Sequence, residues 1–386
     1  MRRKKAINYL MDIILVPVVL VLLWMYGLFG IRFWRLRSGR IGHLVLHVDL
    51  LLRRIQLGTI SGKHILIASH DISNHQLMKM FKRKIKIITF YQPRIIRAIL
   101  HFICNNSILR KTGLYKELSI KENYYEYNNS RPYLFFTPEE ERNGKAILDR
   151  MGINSWYICF HARDSSYLDD RWKKGSSIDS RNVNRNSNIN NYLEAATYIA
   201  NKGGYAVRMG AIVNKPLSED LHPNIIDYSS LYRSEFADIY LPKECKFFLG
   251  NTSGITHIAL LFQRPYILTN IIPFATIHFP HTKESLFIPK KMWSIKEKRF
   301  LTFKEMLKLS NTFNIKGDLT KAGLQAVENT SKEIFDITKE MNERLDGTWK
   351  IKEVDEVLQK KFRSLFPLDF PARIGAKFLK ENKHLL

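Results

Sequence analysis

The residues best suited to chemistry form the run Phe247-Phe248-Leu249-Gly250-Asn251-Thr252-Ser253-Gly254-Ile255-Thr256-His257-Ile258-Ala259, an apolar strand that breaks into a small-residue loop and then starts a helix. Such a junction turns free backbone N–H groups outward, its glycines admit a close approach, and the Thr252 and Ser253 hydroxyls can donate, so a diphosphate suits it. The same residues also suit an ordinary strand-to-helix turn with Ser253 or Thr252 as N-cap. A second group, His161-Ala162-Arg163-Asp164, closes another apolar strand, at the strand end where open α/β sheets bind ligands. Arg163 can grip a phosphate through two parallel hydrogen bonds while Asp164 orients it, although a surface Arg–Asp pair reads the same way. Asn184-Arg185-Asn186 and Val207-Arg208-Met209-Gly210 bring the arginines at strand ends to three. No metal site is expected, because no close Cys/His pair is matched by a second, and Asp169-Asp170 lacks Asp-x-Asp spacing and suits a solvated loop.

Alternating strands and helices must position these groups. In the first half, strands are expected over 32–37, 64–68 and 85–90, and helices over 44–55, 74–83 and 93–109, with the turn Gly39-Arg40-Ile41-Gly42-His43 after the first strand. Thr137-Pro138-Glu139-Glu140 supplies an N-cap, a proline at the first helical position and early acidic residues, launching a connector helix to about 151. Strands over 156–160, 205–209, 225–228, 246–249 and 266–270 then alternate with helices over 190–202, 234–243 and 255–262, the signature of a parallel sheet. Beyond 296 the pattern is mostly helical, with 303–309 and 321–345 the clearest segments.

The order of strand, Asn-Thr-Ser-Gly, His257, an apolar helix and Arg264-Pro265 resembles the donor-side loop of GT-B glycosyltransferases, including the heptosyltransferases. The longer run from His161 through Val207-Arg208-Met209-Gly210, Ile226-Asp227-Tyr228 and Gly250 resembles a family of bacterial surface-polysaccharide glycosyltransferases, and His-x-Arg is similar to that of GT-B fucosyltransferases. The likeness spans about 137–309, with a weaker echo at Arg40-Ile41-Gly42-His43; the rearranged polar loop after Arg163 departs from the fucosyltransferase pattern. It implies an α/β chain of GT-B type, two Rossmann-like domains facing a cleft, and an inverting, metal-independent transferase that needs no cofactor beyond its nucleotide-sugar co-substrate. By the same likeness Arg163, Arg185, Asn186, Arg208, Gly210, Asn251, Thr252, Ser253 and Gly254 hold the donor, with Asp227 on the ribose or base. His161, Asp164 and His43 are the candidate catalytic residues, with Asp49 and Glu235 as further candidates for the general base.

Sixty-one Lys and Arg against 36 Asp and Glu give a net charge of +25, which favours polyanionic partners. Nothing resembles a nucleic-acid recognition element, so phosphorylated sugar carriers and anionic lipid are the expected ones. Residues 13–31 are apolar or neutral over roughly 19 positions, long enough for a retained anchor, and basic residues flank both ends, so a span and a re-entrant hairpin both fit. The three cysteines suit buried thiols in a reducing compartment. The chain thus divides into a basic N-terminus and hydrophobic anchor (1–36), an acceptor domain (37–135), a connector helix and donor domain (136–310) and a helical extension (311–386). A bacterial inner-membrane enzyme with its catalytic domain in the cytoplasm is expected, acting on a lipid-linked or polysaccharide acceptor; a catalytically degenerate membrane-bound scaffold is the alternative.

Overall fold

The computed structural model describes residues 16–68, 71–89, 106, 115–118, 124–164, 166, 184–274, 283–312, 319–366 and 370–386. The chain divides into two compact units, Met1–Phe136 and Thr137–Leu386. The beginning of the expected anchor, Cys104, the basic run 94–97, Asp169-Asp170 and most of the expected helix 93–109 lie outside the described residues.

In the first unit, β1 (Ile31–Leu36), β2 (Lys63–Ala68), β3 (Lys86–Thr89) and β4 (Tyr115–Glu117) form a parallel sheet in the order β3-β2-β1-β4. The first strand therefore falls inside the segment 1–36 that was expected to be terminus and anchor. Helix Ile41–Gln56 buries Leu44, Val45, Val48, Leu51 and Leu52, residues spaced so that one face meets the core. It begins at Ile41, three residues earlier than the apolar run suggests, which puts His43 in its first turn. Residues 16–28 are helical; they bury Val16, Val19 and Leu23 and expose Val18, Val21, Leu22, Trp24, Met25 and Leu28. Among the described residues no helix is long and apolar enough to cross a membrane.

The second unit holds a sheet that is parallel throughout: β5 (Tyr157–His161), β6 (Tyr205–Arg208), β7 (Ile225–Ile226), β8 (Phe248–Asn251), β9 (Tyr266–Ile271), β10 (Leu286–Pro289) and β14 (Arg373–Ile374). Their spatial order is β14-β10-β9-β8-β5-β6-β7. Helices cover both faces of such a sheet, so its strands are apolar on both sides rather than alternating, as Ile158, Cys159 and Phe160 of β5 and Phe248 and Leu249 of β8 show by being fully buried. Each large side chain so placed contributes about 1.5–3 kcal/mol. Cys159 and Cys245 are buried free thiols, as the sequence suggested.

Helix Pro138–Arg150 starts as expected, in a capping box: the Glu140 amide donates to the Thr137 hydroxyl at 3.2 Å and the Thr137 amide to the Glu140 carboxylate at 2.9 Å. Gly144 lets it close on helix Ala237–Glu244, since a Cβ there would overlap the Tyr240 ring.

The C-terminal part corrects the sequence reading. The segment 321–345 is not one helix: Thr320–Ala322 is a short 3-10 turn ended by Gly323 in the left-handed region at φ 69°, β13 (Leu324–Val327) follows, and only then comes helix Ser331–Leu345. β13 pairs antiparallel with β11 (Lys291–Ser294), which also pairs with β12 (Arg299–Phe300). β14 extends the main sheet beyond β10, and Phe362 packs against Phe287 and Phe303 with ring centroids 6.0 and 5.2 Å away. Residues 311–386 therefore complete the second unit rather than extend from it.

Candidate functional site

From β5 the chain winds outward through β6 and β7, then returns to place β8 on the other side of β5 and winds away through β9 and β10. The direction reverses between β5 and β8, and the crevice beyond the carboxyl ends of two such strands is where open α/β sheets take ligands. His161 stands beside Gly250 in the register. A Cβ on Gly250 would lie 3.1 Å from the His161 carbonyl oxygen and 2.9 Å from the Phe248 ring, so glycine permits the two strand ends to approach.

Three segments far apart in sequence meet there. Asn251 is fully buried and works as a clip: its Oδ1 accepts the Arg163 amide at 3.1 Å, and its Nδ2 donates to the Arg185 carbonyl and the Ser187 hydroxyl, both at 2.9 Å. The Ser187 amide donates to the Arg163 carbonyl at 2.9 Å. Arg163 Nη1 donates to Asn186 Oδ1 at 2.6 Å, and Arg185 Nη2 to the Thr252 carbonyl at 2.6 Å. The Asn186 amide oxygen and the Thr252 carbonyl are thus among the acceptors that hold the two guanidiniums at the crevice. The sequence reading had Asn251 and Asn186 binding the donor; the structure commits Asn251 to joining the loops and Asn186 to orienting Arg163.

Thr252 Oγ1 and Ser253 Oγ are buried atoms with no hydrogen-bond partner among the described residues, and Ser253 as a whole is only 4% exposed. An unmatched buried hydroxyl costs about 1–3 kcal/mol, which a ligand acceptor would recover. Neither hydroxyl caps the next helix. Its N-cap is Ile255, without a side-chain bond, and Thr256 Oγ1 donates back to the Asn251 carbonyl at 3.0 Å. The plain-turn reading, which needed Ser253 or Thr252 as N-cap, is therefore displaced. The helix itself, Thr256–Leu261, is shorter than expected, so the hydroxyls and cations matter more than its dipole. His257 Nδ1 lies 3.3 Å from the carbonyl of Gly254, which closes the loop.

Other expected site residues have different work. Arg208 and Asp227 are buried and paired at 3.2 Å, and Arg208 also donates to the Lys215 carbonyl at 2.8 Å. Burial pushes the Asp227 pKa up, but bonds from Ser229, the Leu217 amide, Ser230 and Arg208 overcome it and hold the carboxyl below its usual range. This pair ties down the loop after β6 and the turn after β7, a structural task alongside the diphosphate and ribose roles expected of it. A Cβ on Gly210 would lie 2.7 Å from the Val213 side chain, so that glycine also serves loop packing. Asp164 accepts the Ser166 amide at 3.0 Å and the Asn214 amide at 2.9 Å, which makes it a turn cap rather than the group that orients Arg163. Glu235 lies just before helix Ala237–Glu244, near Asp238, whose carboxyl is raised by burial to about 6.

His161 is anchored through one ring nitrogen. Its Nδ1–H donates to the Met209 carbonyl at 2.9 Å, which leaves Nε2 as the basic nitrogen, and burial pulls its pKa down to about 4, so the ring is neutral at pH 7. In the first unit, His43 Nδ1 lies 3.3 Å from Nε2 of His47, one helical turn on. Asp49 is excluded as a base, because it is fully buried in an ion pair with Arg53 at 2.8 Å. Lys290, at the end of β10, was missed by the sequence reading; its Nζ donates to the Asn186 carbonyl at 2.8 Å. The strand before it was also missed, although the apolar run Leu286-Phe287-Ile288 was there to be read. Among the described residues no group of three or more His, Cys, Asp and Glu side chains is arranged to hold a metal ion.

No family profile matches this chain, and no curated protein matches it. Among solved structures it is distantly similar to a family 9 glycosyl transferase from Veillonella parvula, at 11% identity over 62% of this chain and 80% of that one, with a TM-score of 0.40. It is likewise similar to the ADP-heptose lipopolysaccharide heptosyltransferase II of E. coli, at 12% identity over 67% and 90% of the two chains, with a TM-score of 0.43. A third is an E. coli heptosyltransferase with bound ADP-2-deoxy-2-fluoro heptose, at 12% identity over 61% and 88%, with a TM-score of 0.32. These are proteins of the kind the sequence resemblance named.

Proposed function

We propose that this chain is a glycosyltransferase that binds a nucleotide sugar at the carboxyl ends of β5 and β8. The observation that supports it most is the meeting, at the reversal of the sheet, of Arg163 and Arg185 with the two buried, unmatched hydroxyls of Thr252 and Ser253. A diphosphate supplies the acceptor oxygens that the two hydroxyls lack, and the guanidiniums beside them suit its negative charge. In transfer, the bond between the anomeric carbon and the diphosphate oxygen breaks while an acceptor oxygen bonds to that carbon. Cations that meet the departing diphosphate stabilise charge that grows in the transition state. His161 Nε2 and His43 are the proposed acceptors of the hydroxyl proton; inversion and independence from metal are part of the proposal.

The acceptor proposed is a lipid-linked or cell-surface glycan at the cytoplasmic face of the membrane. The exposed apolar residues of 16–28, followed by Arg32, Arg35, Arg37 and Arg40, and the net charge of +25 support attachment to an anionic bilayer. The test is release of nucleoside diphosphate from a panel of nucleotide sugars, with a membrane extract supplying acceptor. Wild type should turn over one donor and Arg163→Ala should lose most of that rate. Equal release by both proteins would remove Arg163 from the donor site, and no release by wild type would leave a scaffold role instead.

A further inference from the structure

Lys290 stands between β10 and β11, and it is only 4% exposed. A buried ammonium is costly unless its three N–H groups find acceptors. Among the described residues its Nζ makes one hydrogen bond, to the Asn186 carbonyl at 2.8 Å. The carboxylate beside it, Glu328 Oε1, is 3.8 Å away, too far for a hydrogen bond, and Glu328 is held where it is because its Oε2 accepts the Asn188 amide at 3.0 Å. Burial pulls the Lys290 pKa below the usual lysine value, and Glu328 only partly opposes this. The chain has thus placed a desolvated cation with unused donors at a strand end, in a long ion pair with a carboxylate that lies beyond hydrogen-bonding distance.

What Lys290 touches says what the donors are for. Asn186 joins two cations: its carbonyl takes Lys290 from the end of β10, and its Oδ1 takes Arg163 from the end of β5. The neighbouring Lys291 is different, since it pairs with Glu333 at 2.8 Å. We propose that Lys290 is a ligand-binding residue of the same crevice, giving its remaining N–H groups to a phosphate oxygen of the bound nucleotide sugar. This rests on the nucleotide-sugar reading above and adds a cation that neither motif nor spacing had marked.

The test is calorimetric titration of the full-length protein in detergent with UDP, ADP and GDP, alongside melting temperatures. Wild type should bind one of the three. Lys290→Met should weaken that binding about tenfold or more, the loss of a charge-assisted bond. Lys290→Arg should restore it to within about threefold, and Lys291→Met should leave it unchanged. Lys290→Gln keeps a donor for Asn186 without the charge; it should show the same loss as the Met variant and stands in if that variant does not fold. Affinity within twofold of wild type in a folded Lys290→Met or Lys290→Gln protein overturns the proposal while leaving the nucleotide-sugar reading intact. Failure of wild type to bind any of the three overturns both.

Discussion

Asn251→Ala is the sharpest test of how the crevice is held together. The side chain is fully buried and makes three hydrogen bonds, at 3.1, 2.9 and 2.9 Å, to Arg163, Arg185 and Ser187. Each neutral bond contributes about 1 kcal/mol, and the groups left behind are buried, so the substitution should cost about 3 kcal/mol or more. For a unit the size of Thr137–Leu386, a shift of about 2–4 °C per kcal/mol puts the fall in melting temperature at roughly 6–12 °C. Asn251→Asp is the companion. It keeps the acceptor for the Arg163 amide but turns a buried carboxylate oxygen towards the Arg185 carbonyl, so it should be destabilised at least as much. Calorimetry of the two variants beside wild type reads both effects. A loss under about 1 kcal/mol in both would refute the clip, and with it the claim that one asparagine sets where both arginines stand.

His161 predicts a pH dependence. Its folded pKa of about 4 lies below the usual histidine value of about 6.5, so the unfolded chain takes the proton first. The stability it contributes is present above about pH 6.5 and is lost as pH falls through 4, up to about 3 kcal/mol. Urea unfolding at pH 7.5 and 4.5 should show a smaller difference in His161→Asn than in wild type. Arg53→Met strands the buried Asp49 carboxylate and should cost about 3–5 kcal/mol in denaturant titration, with Asp49→Leu added to it recovering part of that loss. Leu22→Glu with Trp24→Glu, placed on the exposed apolar face of 16–28, should release the protein from sedimenting anionic vesicles; undiminished binding would count against attachment through that face.

The parallel framework was legible because apolar strands and helix caps are local signals. β1, β2, β5, β6, β9 and the Thr137 capping box sit where composition placed them. Strands that depend on distant partners were not: β14 has two residues and exists only because β10 offers an open edge, and β13 follows a left-handed Gly323 that reads as helix interior. At the site, residue type identified Arg163, Arg185, Thr252 and Ser253 but could not say who is already satisfied. Arg208 and Arg163 look alike in sequence. One is paired with Asp227 nineteen residues on, and the other bonds the Asn186 amide oxygen in the loop that Asn251 holds. Lys290 escaped notice for the reverse reason, since its burial is set by the fold around it rather than by its neighbours in the chain.

The measurement closest to the central claim is nucleoside diphosphate affinity in Ser253→Ala. Removing a buried hydroxyl that has no partner among the described residues should leave the melting temperature within about 1 °C of wild type or raise it, because no described group loses a bond. If that hydroxyl awaits a phosphate oxygen, the affinity of whichever of UDP, ADP or GDP wild type binds should fall about tenfold. Unchanged affinity in a folded variant, or a wild type that binds none of the three, would contradict the account.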